Sequence, residues 1–322
     1  MVEYSLIYQN EVWNSEIVKK TNFNPYQIYQ WGRYKEKSGW RVLSVKANNN
    51  GNIAYLQITY KLKFNIFLGW CIGSISGNVS LFSKDDFFDY LKKELGVKYI
   101  FIKSSFTNIL NFEESLSLFN SGWNKSIKKI NSDYSIFVDL ELSIDELLIN
   151  CSKNFRKNVK RGNEKNSDIR ISFLSEYDTT EIFDLFSRFQ QIKDLPLPNI
   201  NELEIIKENL SDNIVIAVSY IAGKIVGLRA FLFLGNKALD FWAATDSVGR
   251  KNYTSNVLLF KLFEKAKELG ISEYDMSGID PKSNPNVFGF KNGLRAQVVE
   301  KLGEWEMSNS NFLSFFINKV YL

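Results

Sequence analysis

The sequence holds no histidine. That excludes Ser-His-Asp and Cys-His catalysis and every histidine-ligated metal site, so any chemistry has to run on Lys, Arg, Tyr, Asp or Glu. Cysteine is almost as scarce: Cys71 and Cys151 stand far apart and outside any C-x-x-C spacing. Such usage argues against a disulfide framework or a zinc site and for a reducing compartment, and no metal site is expected. Long apolar runs are missing too. The most apolar stretch, Asn65 to Ile75, is too short to span a bilayer and contains glycines. The opening residues MVEYSLIYQNEVWNSE carry acidic side chains where a secretory signal is basic, and no apolar core follows them. The expected location is the cytoplasm.

What the chain does have is enough apolar surface for a large core. Of its 322 residues 45% are hydrophobic and 15% aromatic, which suits two domains better than one and argues against extended disorder. The formal charge of +4 is too mild for a dedicated DNA-binding protein, so no DNA partner is expected.

Local patterns predict a helix over Pro25 to Lys37 and strands over Arg41 to Ala47 and Ile53 to Phe64. In the second strand Leu56, Ile58, Tyr60, Leu62 and Phe64 alternate with Gln57, Thr59, Lys61 and Lys63, the signature of one face in the core and one in water. Ser83 and Asp86 open a helical run that stops at Gly96, and Lys98 to Ile102 and Asp133 to Leu140 read as further strands. Ser143 and Glu146 form a capping box ahead of one helix with apolar positions Ile144, Leu148, Cys151, Phe155 and Val159. From Ile169 the element order repeats: a strand, two helices, strands near Asn213 to Ile221, Lys224 to Leu234 and Ala238 to Thr245, and a helix from about Thr254 to Leu269 with Gly270 to stop it. Alternating strands and helices imply a mixed α/β, or α+β, layer architecture.

Charge is concentrated in one segment. Lys153, Arg156, Lys157, Lys160 and Arg161 recur at spacings of three and four, which puts them in a stripe opposite the apolar face of a helix. Such a stripe is either a solvated face or a grip for the phosphates of tRNA or a nucleotide diphosphate.

The segment YDMSGIDPKSNPNVFGFKNGLRAQVVEKLGEW, Tyr274 to Trp305, resembles the signature of the Fem family of non-ribosomal peptidyltransferases: a Tyr-Asp-hydrophobic-x-Gly strand, a Phe-Lys pair at Phe290 and Lys291, then a Gly-Glu strand. Three further stretches resemble that family in the same order. They are NPYQIYQWGRYKEKSGW from Asn24, KNFRKNVKRGNEKN from Lys153, and DFWAATDSVGRKNYTSNVLLF from Asp240. The resemblance implies two domains related to the Gcn5-type acetyltransferases, 1–140 on the acceptor side and 141–307 on the donor side, with 308–322 returning to the first. It also implies transfer of an amino acid from aminoacyl-tRNA to an amine of a nucleotide- or lipid-linked peptidoglycan or related envelope precursor, with no cofactor.

In that reading Lys291 stabilises the oxyanion that forms at the carbonyl, a task a cation can perform without histidine. Lys35, Tyr253, Phe290, Arg229 and Asp275 are the expected substrate-binding residues, and Lys153, Arg156, Lys157, Lys160 and Arg161 the expected tRNA- or phosphate-binding ones. One place departs from the family. Where the strand Tyr99 to Ser105 would bring an acidic residue toward the acceptor, this chain has Lys103, Ser104 and Ser105.

Two alternatives stay open. One is an acyl-CoA-dependent N-acyltransferase acting on an amino sugar in surface polysaccharide synthesis, although Asp246 to Asn256 has one glycine and lacks the loop spacing that cradles the CoA pyrophosphate. The other is a nucleotide- or RNA-binding protein without activity. The tail NFLSFFINKVYL is aromatic but its polar face is poorly basic, so docking onto the first domain is expected, with at most peripheral membrane contact.

Overall fold

The computed structural model describes residues 2–8, 10–190 and 197–321. The chain divides into two units, Met1–Tyr134 with Val299–Leu322, and Ser135–Val298.

In the first unit β1 (Glu3–Leu6), β2 (Arg41–Asn49), β3 (Asn52–Lys63) and β4 (Ile66–Ile72) form an antiparallel meander, with the short β5 (Ser76–Gly77) beside β3. β6 (Tyr99–Ile109) runs parallel to β4, and a parallel neighbour needs a crossover, here containing α3 (Lys84–Leu95). α3 carries Asp85 and Asp86 in its first turn and is capped by Gly96 at φ 64°, acidic residues at the positive helix end and glycine in the left-handed cap. Phe87, Phe88 and Leu91 of α3 pack into a core with Phe67, Ile100, Ile102 and Trp123. α1 (Asn10–Ile17), α2 (Tyr29–Lys37) and α4 (Phe112–Asn120) complete this half, with α2 against β2 and β3. β7 (Asn124–Lys125) and β6 both pair with β14 (Gln297–Ser308), and α12 (Asn311–Phe316) follows β14.

Two expectations change here. The predicted first helix is a 3₁₀ turn over Pro25–Gln27, then extended Ile28, then α2. β3 is half-exposed only toward its end: Lys61 and Lys63 are exposed as expected, and so is Phe64, expected on the core face, but Gln57 and Thr59 are buried like Leu56 and Ile58. The reason is α2, which lies over that face while Gln27 hydrogen-bonds the Gln57 backbone through both its Oε1 (2.7 Å) and its Nε2 (3.2 Å).

Lys103 does not face an acceptor either. It is 0% exposed, 3.5 Å from the carboxylate of Glu304 (1% exposed), and donates to the Lys128 carbonyl. Glu304 in turn accepts from the backbone N–H of Ile130 (3.1 Å) and Asn131 (2.9 Å), so the pair ties the 128–131 segment to β6 and β14.

The second unit repeats the plan. β9 (Asp168–Phe173), β10 (Ile214–Ile221), β11 (Lys224–Leu234) and β12 (Lys237–Thr245) are antiparallel, and β13 (Glu273–Gly278) runs parallel to β12. The crossover between them carries α9 (Ser247–Lys251) and α10 (Thr254–Glu268). α10 buries Val257, Leu258, Leu262, Phe263 and Ala266 and stops in a Schellman motif: Gly270 at φ 76°, with Ile271 N–H donating to Ala266 (3.0 Å) and Gly270 N–H to Lys267 (3.0 Å). β8 (Tyr134–Asp139), read from the sequence as the last strand of the first half, pairs with β13. The predicted helix after Ser143 is two, α5 (Ile144–Asn150) and α6 (Lys153–Lys165), because extended Cys151 interrupts it and Ser152 caps α6. α7 (Thr179–Gln190), α8 (Ile200–Leu210) and α11 (Pro285–Asn292) complete the unit. Both cysteines are free and buried, and burial pushes the thiols up, Cys71 to about 12 and Cys151 to about 11.

Removing one partner of a buried ion pair strands the other charge. Lys103→Ala is therefore expected to lower stability in urea denaturation by about 3–5 kcal/mol; a change of less than about 1 kcal/mol would show that Glu304 is satisfied by its backbone donors alone.

Candidate active site

β13 stays in register with β12 for three residues, Glu273 to Asp275, and then leaves the ladder. Ser277 adopts φ 62°, left-handed backbone that costs a non-glycine residue about 1–2 kcal/mol. The turn is held from several sides: Ser277 N–H donates to Asp275 Oδ1 (2.8 Å), Ser277 Oγ to the Asp240 carbonyl (2.7 Å), and Ser135 Oγ to the Ser277 carbonyl (2.9 Å). Its effect is to point two carbonyls at one side chain. Lys291, in the last turn of α11, donates through Nζ to Gly278 O (2.9 Å) and Ser277 O (3.3 Å) and is 7% exposed. A surface lysine at a helix edge would show none of this.

Lys291 borders a cavity of about 570 Å³ whose walls belong wholly to the second unit. Arg229, Tyr253 and Phe290 border it as well. Arg229 on β11 is buried, grips Asp240 with both oxygens at 2.7 Å, donates to Ser255 Oγ (3.0 Å), and lies 5.2 Å from the Phe290 ring centroid. Phe290 also packs on Phe155 of α6, with centroids 5.3 Å apart. Tyr253 takes φ 57° at the N-cap of α10, so left-handed backbone occurs at one lining residue and again in the turn that holds Lys291, a common mark of functional sites.

The remaining walls include Arg250, Asn158, Asn256 and Asp240. Among the described lining residues three are cations and Asp240 alone is a carboxylate. Burial, and then the Asp240 carboxylate, hold the Tyr274 hydroxyl well above its usual range.

The other expected residues fall elsewhere. Asp275 is buried but organises backbone, accepting from Ser277 N–H and Ser135 Oγ, and does not line the cavity. Lys35 belongs to the first unit, where its ammonium lies 4.9 Å from the Trp31 ring and 4.6 Å from that of Tyr34. In α6, Lys153, Lys157, Lys160 and Arg161 are exposed while Phe155 and Val159 are buried. Arg161 donates to Tyr253 OH (3.2 Å), which links the basic stripe to the cavity. Arg156 is turned back, its guanidinium hydrogen-bonding the Ile149 (2.7 Å) and Cys151 carbonyls at the end of α5.

Sequence reasoning missed Asp240, Ser255, Asn158, Asn256 and Arg250. Asp240 was detectable as an acidic residue within an otherwise apolar strand; the others carry no signal without the fold.

The CoA loop expected to be poor is a helix. In α9 the N–H groups of Gly249 and Arg250 are spent on Asp246, and those of Asn252 and Tyr253 on Val248 and Arg250. A Cβ on Gly249 would meet the Val226 carbonyl at 2.3 Å, so α9 sits tight on β11.

Replacing Asp240 by Asn leaves the Arg229 guanidinium without its carboxylate, and Asp240→Asn is expected to cost about 3 kcal/mol or more in thermal or urea unfolding. The double variant Arg229→Met, Asp240→Leu should recover most of that loss; equal instability of the single and double variants would count against the pair as the cause.

Residues 201–321 match the model of the FemAB family. Among solved structures, the crystal structure of FemX matches with a TM-score of 0.84 at 14% identity, over 98% of this chain and 100% of that one. L-PGS from Bacillus licheniformis gives 0.60 at 13% identity, over 97% and 96%. A tandem GNAT protein from the clavulanic acid biosynthesis pathway gives 0.56 at 9%, over 96% and 99%. No curated protein matches. Residues 201–321 therefore match the FemAB family, in a mixed α/β chain with the fold of FemX, and the two likenesses together indicate an acyltransferase.

Proposed function

We propose that this chain is an aminoacyltransferase that moves an amino acid from aminoacyl-tRNA to an amine of a peptidoglycan or related cell-envelope precursor. The observation that carries the reading is the Lys291 ammonium, buried beside the cavity and oriented by the Ser277 and Gly278 carbonyls. The family match over 201–321 and the FemX fold support it.

The chemistry asks little of a base. An α-amine with a pKa of about 7.7–8.0 is partly neutral near pH 7.5 and can attack an ester directly. The C–N bond forms, the ester C–O bond breaks, and the proton given up by the amine ends on the leaving ribose oxygen. Asp240, the carboxylate among the described lining residues, is committed to Arg229. What the site supplies is positive charge at the carbonyl oxygen, the role assigned to Lys291. Phe290 and Tyr253 offer ring faces to the substrates. The exposed cations Lys153, Lys157, Lys160 and Arg161 of α6 are assigned to tRNA phosphates. A CoA-dependent reaction finds less support, since α9 spends the N–H groups a pyrophosphate would use.

Lys291→Met should fold normally and lose about 10²–10³-fold in kcat, the scale of removing one oxyanion donor. Activity of the native chain should rise with pH to a plateau above about 8 as the acceptor amine loses its proton. Transfer from acyl-CoA but not from aminoacyl-tRNA would overturn the reading. Lys157→Gln with Lys160→Gln should weaken tRNA binding whatever the tRNA sequence and lower the slope of log K against log salt by roughly one per lysine removed. An unchanged slope would remove α6 from the tRNA contact.

A further inference from the structure

α12 carries apolar residues on two sides. Leu313, with Ile317 just beyond the helix, is buried against Phe101, Ile66 and Leu68 on one face of the first unit's sheet. Phe312, Phe315 and Phe316 point away from it and are 78%, 61% and 41% exposed. Phe312 stacks on Phe316, with centroids 6.4 Å apart. Docking of the tail on the first unit, expected from sequence, therefore uses one apolar side and leaves a second uncovered.

That second side is not isolated. β6 starts beside α12: Asn309 Nδ2 donates to the Lys98 carbonyl (2.9 Å) and Ile100 N–H to Asn309 Oδ1 (2.9 Å), which places exposed Tyr99 next to the helix. Tyr99 pairs in register with Ile66, and its N–H donates to Asn65 O (3.1 Å) in the β3–β4 turn. This turn presents Phe64, the most exposed large hydrophobic residue among those described, at 85%. Three separate segments thus bring five exposed aromatic rings to one end of the sheet. The cations beside these rings are exposed lysines, while the neighbouring Glu306 carboxylate is buried and accepts from Ser314 Oγ (3.0 Å) and Asn318 Nδ2 (2.7 Å). Lys63, Lys98 and Lys319 lie 5.7, 5.3 and 5.4 Å from the centroids of Phe64, Tyr99 and Phe315. Segments 61–66, 95–99 and 309–319 contain four lysines and no acidic residue.

We infer that this patch is a docking surface for an anionic lipid bilayer, with Phe64, Phe312, Phe315 and Phe316 entering the headgroup region and Lys63, Lys98 and Lys319 meeting lipid phosphates. Aromatic rings ringed by lysine are what an interface of that kind selects: amphipathic side chains that bury apolar mass while the ammonium stays with the anions. The sequence hides this, because the tail alone carries only Lys319, and the other cations arrive through the β3–β4 turn and the start of β6. The inference is independent of the transfer reaction proposed above, and none of its residues lines the cavity.

The test is flotation of the full chain with vesicles of phosphatidylcholine alone and of phosphatidylcholine with about one third phosphatidylglycerol, the anionic fraction supplying the surface potential. Binding to the anionic vesicles, weakened by salt and absent from neutral ones, is expected. Lys63→Gln with Lys98→Gln should weaken it roughly fivefold per lysine. Phe312→Ser with Phe315→Ser should abolish it, and circular dichroism should show an unchanged fold, because Leu313 and Ile317 still anchor the segment. No flotation at any composition, or flotation that the variants leave intact, overturns the inference. So does self-association in sedimentation that the phenylalanine variants dissolve while no vesicle binds, since the patch then joins copies of the chain.

Discussion

The site depends on one departure from regular structure, the point where β13 abandons its parallel ladder with β12 after Asp275. A continued ladder would spend the carbonyls of residues 277 and 278 on sheet hydrogen bonds. Instead Ser277 turns left-handed and both carbonyls receive the Lys291 ammonium. The cost of that backbone and of a buried lysine is offset locally, by Asp275, Ser135 and the Asp240 carbonyl, each bonded to some part of Ser277. Openings at the carboxyl ends of diverging strands are where open α/β sheets place ligands, and here the opening is lined by α10, α11 and β11.

Electrostatics then set what the cavity can do. Arg229 is neutralised by Asp240 and fixed by Ser255, so it serves as wall more than as free charge. Lys291 donates to the carbonyls of Ser277 and Gly278, which orient its ammonium beside the cavity. A site built this way favours developing negative charge and has little to offer as a general base. That fits a chain without histidine and the amine nucleophile of the proposed reaction.

Both units use one scheme: an antiparallel meander, a crossover with a helix, a parallel strand, and a last antiparallel strand. In the second unit that last strand, β8, comes from before the meander; in the first it is β14, from near the end of the chain. The buried Lys103–Glu304 pair sits on this β6–β14 seam. It turns the Lys103 side chain into the core of the first unit.

Local sequence determined much of this. Gly96 and Gly270 end their helices because only glycine takes the left-handed cap cheaply, and the Ser143–Glu146 box starts α5 as its spacing requires. The Tyr-Asp strand and the Phe-Lys pair were legible because they are contiguous and carry the family resemblance. Tertiary structure decided the rest, for reasons no local pattern encodes. Whether Gln57 and Thr59 face water depends on α2 arriving from elsewhere, and whether Lys103 is a ligand or a core cation depends on Glu304, some two hundred residues away. Arg229, Asp240 and Ser255 become one cluster only because β11, β12 and α10 meet, and Lys63, Lys98 and Lys319 share a surface only because three segments end at the same edge. Sequence fixes what each residue is able to do, and the fold fixes which neighbours and how much water it has while doing it.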